Sequence, residues 1–175
     1  MQTLVSVREC VATLPNIMPT LYLMRHAKSS WDNPHHSDHE RPLNERGRRE
    51  GPLVAAALCE HLTARGATCH AIVCSDARRT RETAALVQAA FGEPPPLSPT
   101  SDLYHAGVGE WAAVVAQFDP AWETVVAIAH NPGLSDLHVR LGGGGHIATS
   151  TAFETTLPSW DALLEAELGP TFTAK

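Results

Sequence analysis

Short apolar runs alternate with amphipathic segments along most of this chain. Leu21 to Met24, Ala71 to Cys74 and Thr124 to Ala129 have the length of buried strands, and the last run is rich in β-branched residues. Helical spacing of apolar residues follows two of them, from about Arg78 to Phe91 and from Leu134 to Leu141. This alternation predicts an α/β fold, a single-domain three-layer αβα arrangement with a mostly parallel central sheet.

The segment after the first strand is less regular. Residues 27–43 show neither the apolar spacing of a helix nor the alternation of a strand, so they predict a surface loop. Asn44 is a helix N-cap candidate, but Gly51 and Pro52 interrupt the spacing, so we expect a short turn over residues 45–50 and a helix with Pro52 in its first turn. That helix would end near Gly66 and bury one face, made of Leu53, Ala57, Leu58 and Leu62.

The rest of the chain contains weaker signals. Ser75 and Asp76 are possible caps for the helix that begins near Arg78. Gly109 to Gln117 predicts a helix and Ala152 to Leu157 a strand, whereas the last residues are ambiguous. Met18-Pro19 resembles a natural protein start, so we expect residues 1–17 to be a poorly ordered extension of a domain that spans residues 18–175.

Composition limits the classes of function. The chain has 175 residues, of which 43% are hydrophobic and 18% charged, as expected for one globular domain. A net charge of −6 argues against general nucleic-acid binding, and no apolar run approaches the roughly 18 residues of a membrane helix. The four cysteines form no CxxC pair and the start is a poor secretory signal, so we expect a cytoplasmic protein.

Candidate chemistry lies where the predicted strands end. Arg25 and His26 follow the first strand, Arg78 and Arg79 lie just beyond the second, and His130 follows the third. The carboxyl ends of parallel strands meet at one edge of a sheet, so these groups can converge. Arginine and histidine together suit a phosphoryl group better than a carboxylate.

Four motifs in this order make the pattern specific. They are Leu21-Tyr-Leu-Met-Arg-His-Ala27, Arg41-Pro-Leu-Asn-Glu-Arg-Gly47, Cys74-Ser-Asp-Ala-Arg-Arg-Thr-Arg-Glu-Thr-Ala84 and His130-Asn-Pro-Gly133. Over roughly residues 20 to 157 the chain resembles the histidine phosphatase superfamily, which includes the phosphoglycerate mutases, and most closely its SixA-like branch of phosphohistidine phosphatases. The resemblance implies the phosphoglycerate mutase-like fold and phosphatase activity.

The resemblance also assigns roles to residues. It implies that His26 is the nucleophile, that Arg25 and Arg79 bind phosphate, and that His130 is the second catalytic histidine. Arg79 is selected over Arg78 because it fits the family's Ser-x-x-x-Arg-x-x-x-Thr pattern. Arg41 is a further candidate for binding phosphate. The alternative for this residue is a salt bridge within the loop.

The chain departs from the family pattern at two points, and the second of them bears on the substrate. Ala27 stands where the superfamily usually has glycine, and no residue matches the glutamate that protonates the leaving group in the mutases. Asp102 and Glu110 are weak candidates for that acid. A leaving imidazole needs less protonation than an alkoxide, so the sequence favours phosphohistidine on another protein as the substrate. The resemblance to the SixA-like branch implies that this partner is a phosphorelay protein.

The expected mechanism uses no cofactor. A neutral His26, fixed by a bond from its other ring nitrogen to a backbone carbonyl, would attack phosphorus, while Arg25, Arg79 and a protonated His130 stabilise the transition state. The arginines would supply the positive charge that a metal supplies elsewhere. Three alternatives remain: a general small-molecule phosphomonoesterase, a non-catalytic module that binds phosphorylated ligands, and a weak metal site at His35, His36 and His39.

Overall fold

A six-stranded sheet organises residues 18–174, the part of the chain that the computed structural model describes. The strands β3, β2, β4 and β1 are parallel, and β5 runs antiparallel to β1 and to β6. Their order across the sheet is β3-β2-β4-β1-β5-β6. The prediction of a mostly parallel sheet is therefore confirmed. The strands are β1 (Thr20–Arg25), β2 (Ala71–Ser75), β3 (Leu97–Thr100), β4 (Thr124–Ala129), β5 (Thr151–Thr156) and β6 (Glu167–Thr173).

Helices cover both faces of this sheet. Within residues 18–174 they are α1 (Glu45–Ala64), α2 (Arg78–Gln88), α3 (Val108–Val115) and α4 (Gly133–Arg140). Successive side chains of a strand point to opposite faces, so β1 contributes Tyr22 and Met24 to the core under α1 and α2, and Leu21 and Leu23 to the core under α3 and α4. The three-layer αβα prediction is confirmed. None of these helices is long and apolar enough to cross a membrane.

Helix α1 differs from its prediction. It is continuous from Glu45, so the expected turn over residues 45–50 is wrong, although the Asn44 side chain does cap it by accepting the Gly47 N–H at 2.9 Å. Pro52 lies inside the helix on its exposed side. It removes one backbone hydrogen bond, but the packing of the helix against the sheet outweighs this loss. Leu53 is 55% exposed, and Ala57 is only partly buried. The buried face is instead Gly47, Gly51, Val54, Ala55, Leu58 and Leu62.

The two edge strands were not predicted. Pro99 lies in β3, and Gly169 and Pro170 lie in β6, and both strands are largely exposed. Neither has the apolar alternation of a buried strand, and an edge strand tolerates proline because one of its sides needs no ladder hydrogen bonds. The other predicted elements agree with the structure to within one helical turn; α2, for example, ends at Gln88 and not at Phe91. The expectation for residues 1–17 falls outside the described residues.

Candidate active site

The carboxyl ends of β1, β2 and β4 meet at one edge of the sheet, and the residues beyond them form a buried polar pocket. His26 follows β1, His130 follows β4, and Arg79 lies in the first turn of α2, which follows β2. Their exposed fractions are 7%, 5% and 4%. The structure therefore brings these three residues together, as the parallel sheet led us to expect.

The geometry of His26 suits a nucleophile. Its backbone N–H donates to the Ala129 carbonyl at 3.1 Å, which fixes the residue at the end of β1. Its ring Nδ1 lies 2.7 Å from the Ala27 carbonyl, which can only accept, so Nδ1 carries the proton and Nε2 keeps its lone pair. Burial, together with the charges of Arg79 and Arg25, outweighs the Ala27 bond and lowers the pKa of His26 to about 3. The imidazole is therefore neutral at physiological pH.

Arg79 joins the two histidines. Its Nε donates to Nε2 of His26 at 3.3 Å, and its Nη2 donates to Nδ1 of His130 at 3.1 Å. One turn later, the Thr83 hydroxyl donates to the Arg79 carbonyl at 2.7 Å and accepts the N–H of Ala27 at 3.0 Å. These bonds explain why threonine lies four residues after the arginine, since it ties α2 to the turn that carries His26.

His130 is neutral in the structure. Because its Nδ1 accepts from Arg79, its proton lies on Nε2, which is 2.9 Å from the Ser75 hydroxyl. Burial, then the neighbouring His26 and Arg79, lower the pKa of His130 to about 2. A protonated His130 in the transition state stays a prediction. Ser75 faces His130 and does not cap α2, whose N-cap is Ala77.

Asp38 is a residue of the pocket that the sequence analysis missed. Its carboxylate accepts from Arg79 Nη2 at 2.9 Å, from Arg41 Nη1 at 2.7 Å and from the Tyr104 hydroxyl at 2.9 Å. Partial burial alone would raise the pKa of Asp38, but Tyr104 and the two arginines lower it more and hold it well below the usual range. Asp38 therefore stays ionised and orients Arg79. Its only signal in the sequence is an acidic residue three positions before Arg41, which is too common to identify a site.

Arg41 is an ion-pair partner within the loop. Besides its bond to Asp38, its Nε donates to the Ser30 carbonyl at 2.9 Å and its Nη2 donates to the Ser29 hydroxyl. The loop salt bridge that the sequence left open is therefore present. The charge of Arg41 also contributes to the low pKa of His26. A direct bond from Arg41 to phosphate stays a prediction.

Arg25 lies at the side of the pocket. Its Nη1 donates to the Ile147 carbonyl at 2.7 Å and is 3.2 Å from His146 Nε2, and Asn131 donates to the same carbonyl at 2.9 Å. Arg25 Nε is buried and has no hydrogen-bond partner within residues 18–174. Burial also lowers the pKa of this guanidinium. A buried donor without a partner suits an oxyanion.

Within residues 18–174, neither carboxylate considered as the acid forms a hydrogen bond with His26, Arg79 or His130. Asp102 is exposed in a 3₁₀ turn after β3 (Ser101–Leu103), and the Glu110 carboxylate accepts the Gly107 N–H at 3.0 Å in the first turn of α3. The same segment presents Tyr104 and His105 to the pocket. Their ring centroids are 4.1 Å apart, and the Tyr104 ring lies 5.5 Å from the ring of His130. Sequence reasoning missed both aromatic residues.

The histidines of the 35–40 loop do not gather around a common point. His39 Nε2 pairs with Asp76 at 2.9 Å, whereas His35 is exposed. Within residues 18–174 no group of three or more His, Cys, Asp or Glu side chains is placed to hold a metal ion. The loop therefore does not form the metal site that the sequence left open.

Comparison of the sequence with known families gives one match over most of the chain. The model described as Histidine phosphatase superfamily (branch 1) matches residues 21–133. An uncharacterized chloroplastic protein of Arabidopsis thaliana is 42% identical over 74 residues, which are 42% of this chain and 32% of that protein. The chain thus spans about a third of the length of this relative.

Solved structures are similar over nearly the whole fold. The protein histidine phosphatase SixA in complex with tungstate matches with a TM-score of 0.72 and 22% identity, over 89% of this chain and 97% of that one. A candidate phosphohistidine phosphatase SixA from Nakamurella multipartitia matches with a TM-score of 0.69 and 28% identity, over 87% of this chain and 94% of that one.

Proposed function

Because the chain belongs to the histidine phosphatase superfamily (branch 1), we propose that it is a metal-independent phosphatase that works through a phosphohistidine intermediate on His26 and acts on phosphohistidine side chains of other proteins. The observation that supports this most directly is the cluster of His26, Arg79 and His130 in one buried pocket. It places a neutral nucleophile beside donors that suit phosphate oxygens.

In the first step, His26 Nε2 attacks phosphorus in line with the bond to the leaving group. Negative charge then spreads over the equatorial oxygens of the phosphoryl group. Arg79 already lies against Nε2, and Arg25 has a buried Nε without a partner in the described chain, so both have donors for these oxygens. Donors that are in place before the reaction stabilise such charge without reorganisation.

In the second step, water attacks phospho-His26 and the electron pair of the breaking N–P bond returns to Nε2. The Nδ1–H bond to Ala27 keeps the ring in one orientation through both steps. His130 lies with its ring centroid 5.0 Å from that of His26. Besides burial, the charge of Arg79 is one cause of the low pKa of His130. We propose that the incoming phosphate dianion offsets this charge, so that His130 takes a proton and binds a phosphate oxygen.

The acid residues around the pocket favour a leaving group that departs easily. Asp38 is held ionised by Tyr104 and two arginines, and Asp102 and Glu110 form no hydrogen bond with the pocket residues within residues 18–174. Without a carboxylic acid in place, an alkoxide depends on another proton donor, because general acid catalysis is worth about 10² to 10⁴ in rate. An imidazole leaves with less help. The likeness to the Nakamurella protein, at 28% identity, supports the same substrate class.

The test is phosphate release without added metal from a protein phosphorylated on histidine and from a panel of small phosphate esters. We expect wild-type protein to be most active on phosphohistidine. His26→Ala should lose activity on every substrate, because the residue that forms the N–P bond is gone. His35→Ala is the matched control, since this histidine is exposed and outside the pocket.

Trapping of the intermediate separates mechanism from substrate. Radiolabelled phosphate should appear on wild-type protein and on His35→Ala in an acid-labile form, and not on His26→Ala. Equal turnover by wild type and His26→Ala would refute the mechanism. Preference for small esters would keep the mechanism and refute the substrate class. Tight binding of a phosphohistidine peptide without phosphate release would make the protein a binding module.

A further inference from the structure

We propose that His105 is the catalytic residue that protonates the leaving group. This inference rests on the proposed function and deepens it. His105 follows β3 and its 3₁₀ turn, at the same edge of the sheet as His26 and His130. Its ring is exposed, 4.1 Å from the Tyr104 ring and 6.3 Å from the His130 ring, measured between centroids. An imidazole thus stands at the mouth of the buried pocket.

The backbone of His105 holds this position in an uncommon conformation. Its φ is +57°, a left-handed value that is unfavourable for a non-glycine residue. Such conformations persist where the surrounding structure imposes them, and they are frequent at functional sites. Here the next residue, Ala106, packs against the turn after His130, so closely that a Cβ on Gly133 would lie 1.7 Å from the Ala106 carbonyl oxygen. The pocket itself therefore fixes where His105 stands.

The direction of attack places the leaving group near His105. In-line displacement by the buried Nε2 of His26 sends the leaving group to the opposite side of phosphorus, toward solvent. The remaining polar side chains of the mouth are engaged elsewhere. His39 pairs with Asp76, His146 lies against Arg25, and Tyr104 donates to Asp38. His105 has no side-chain hydrogen bond within residues 18–174, so its ring nitrogens are available.

Tyr104 lies directly beside this imidazole. The phenol donates its hydrogen bond to the Asp38 carboxylate, and the His105 ring lies tilted at 55° against the Tyr104 ring. This contact holds the imidazole at the mouth of the pocket, and histidine is the most common general acid and base in enzymes.

The proposed step forms one bond to phosphorus, breaks another and moves one proton from His105 to the leaving group. The lone pair of His26 Nε2 forms the N–P bond, and the bond from phosphorus to the leaving atom breaks with its electron pair on that atom. For an ester, His105 gives its proton to the leaving oxygen. For phosphohistidine, the proton goes to the ring nitrogen that is not bonded to phosphorus, so the ring departs as neutral imidazole. Neutral His105 then takes a proton from the water that attacks phospho-His26.

Leaving-group dependence tests this role. The experiment compares wild type and His105→Asn on aryl phosphates whose phenols range from strongly acidic, as in 4-nitrophenyl phosphate, to weakly acidic. Asparagine is chosen because it tolerates the left-handed backbone. We expect kcat/KM on the poorest leaving groups to fall by about 10² to 10⁴, and that on 4-nitrophenyl phosphate to change little. An equal loss on all substrates would refute the proposal.

Rescue supplies a second readout. His105→Gly keeps the backbone conformation and leaves space at an exposed position, so added imidazole should restore turnover of the poor leaving groups. No rescue, with unchanged folding, would count against His105 as the donor. Both variants should still form phospho-His26 from 4-nitrophenyl phosphate. Loss of that intermediate in wild type as well would refute the proposed function itself.

Discussion

Stability of this protein should fall as the pH is lowered from neutral, because the pocket holds two histidines in the neutral form. The pKa of His26 is lowered to about 3 and that of His130 to about 2, chiefly by burial. In the unfolded chain each would titrate near its ordinary value of about 6.5. Below that value the unfolded state binds protons that the folded state excludes, so acid favours unfolding.

The magnitude follows from the two shifts. Each histidine that stays neutral in the folded state lowers the free energy of unfolding by roughly 1.4 kcal/mol for every pH unit below about 6.5. This decrease continues until the pH reaches the pKa of that histidine in the folded protein. Both residues are at least nine-tenths buried by surface area, so solvent screening removes little of this. Together His26 and His130 should lower the free energy of unfolding by about 3 kcal/mol between about pH 7.5 and pH 5.5.

Urea unfolding of wild type and His130→Asn at both pH values measures this contribution. The variant has one titrating histidine fewer, so its loss of stability on acidification should be smaller by about 1.4 kcal/mol. His35→Ala is the control, and it should lose as much as wild type because His35 is exposed in the folded state too. Equal losses in wild type and His130→Asn would refute the neutral, buried state of His130.

Two further predictions concern packing and the interior. Gly133→Ala should destabilise the fold by about 1–3 kcal/mol, because its Cβ would meet the Ala106 carbonyl oxygen at 1.7 Å. Gly144→Ala is the control, and it should not shift the urea midpoint because open space surrounds Gly144. An unchanged urea midpoint for Gly133→Ala would contradict the close approach of Gly133 to Ala106. Glu154 is buried and accepts hydrogen bonds from the Tyr22 hydroxyl at 2.9 Å, from His61 at 2.8 Å and from Arg65 at 2.8 Å. Glu154→Gln should therefore lower the free energy of unfolding by about 1–3 kcal/mol, while kcat per folded molecule stays the same. A stable but inactive Glu154→Gln protein would instead connect this network to the site.

The sequence predicts the central part of the fold and not its edges. Strands β1, β2 and β4 are buried on both faces, so they appear as uninterrupted apolar runs. Strands β3 and β6 contain proline and pair on one side only, so their composition resembles that of loops. The sequence predicts a break before Pro52 because proline disfavours a helix interior locally. Tertiary packing, which the local sequence does not show, stabilises α1 as one continuous helix.

The same distinction applies to the site. His26, Arg79 and His130 are attached to buried elements, so the topology of the sheet alone brings them together. Asp38 and His105 lie in irregular segments, whose paths depend on tertiary contacts such as the bond from Tyr104 to Asp38. No periodicity or spacing in the sequence predicts the path of such a segment. For this reason Asp38, which orients Arg79, and His105, the proposed proton donor, could not be identified from the sequence.

In the proposed function, one pocket keeps its histidines neutral and still binds a dianion. Burial is the largest cause of the low pKa of His26, and the charged guanidinium groups of Arg79, Arg25 and Arg41 lower this pKa further. Asp38 is bound to two of these groups, which leaves part of the positive field uncompensated inside a chain with a net charge of −6. These groups therefore disfavour a proton on His26, and in the proposed function the same groups attract phosphate. Under that proposal a phosphoryl dianion offsets their charge locally, so protonation next to the phosphoryl group is favoured when substrate is bound.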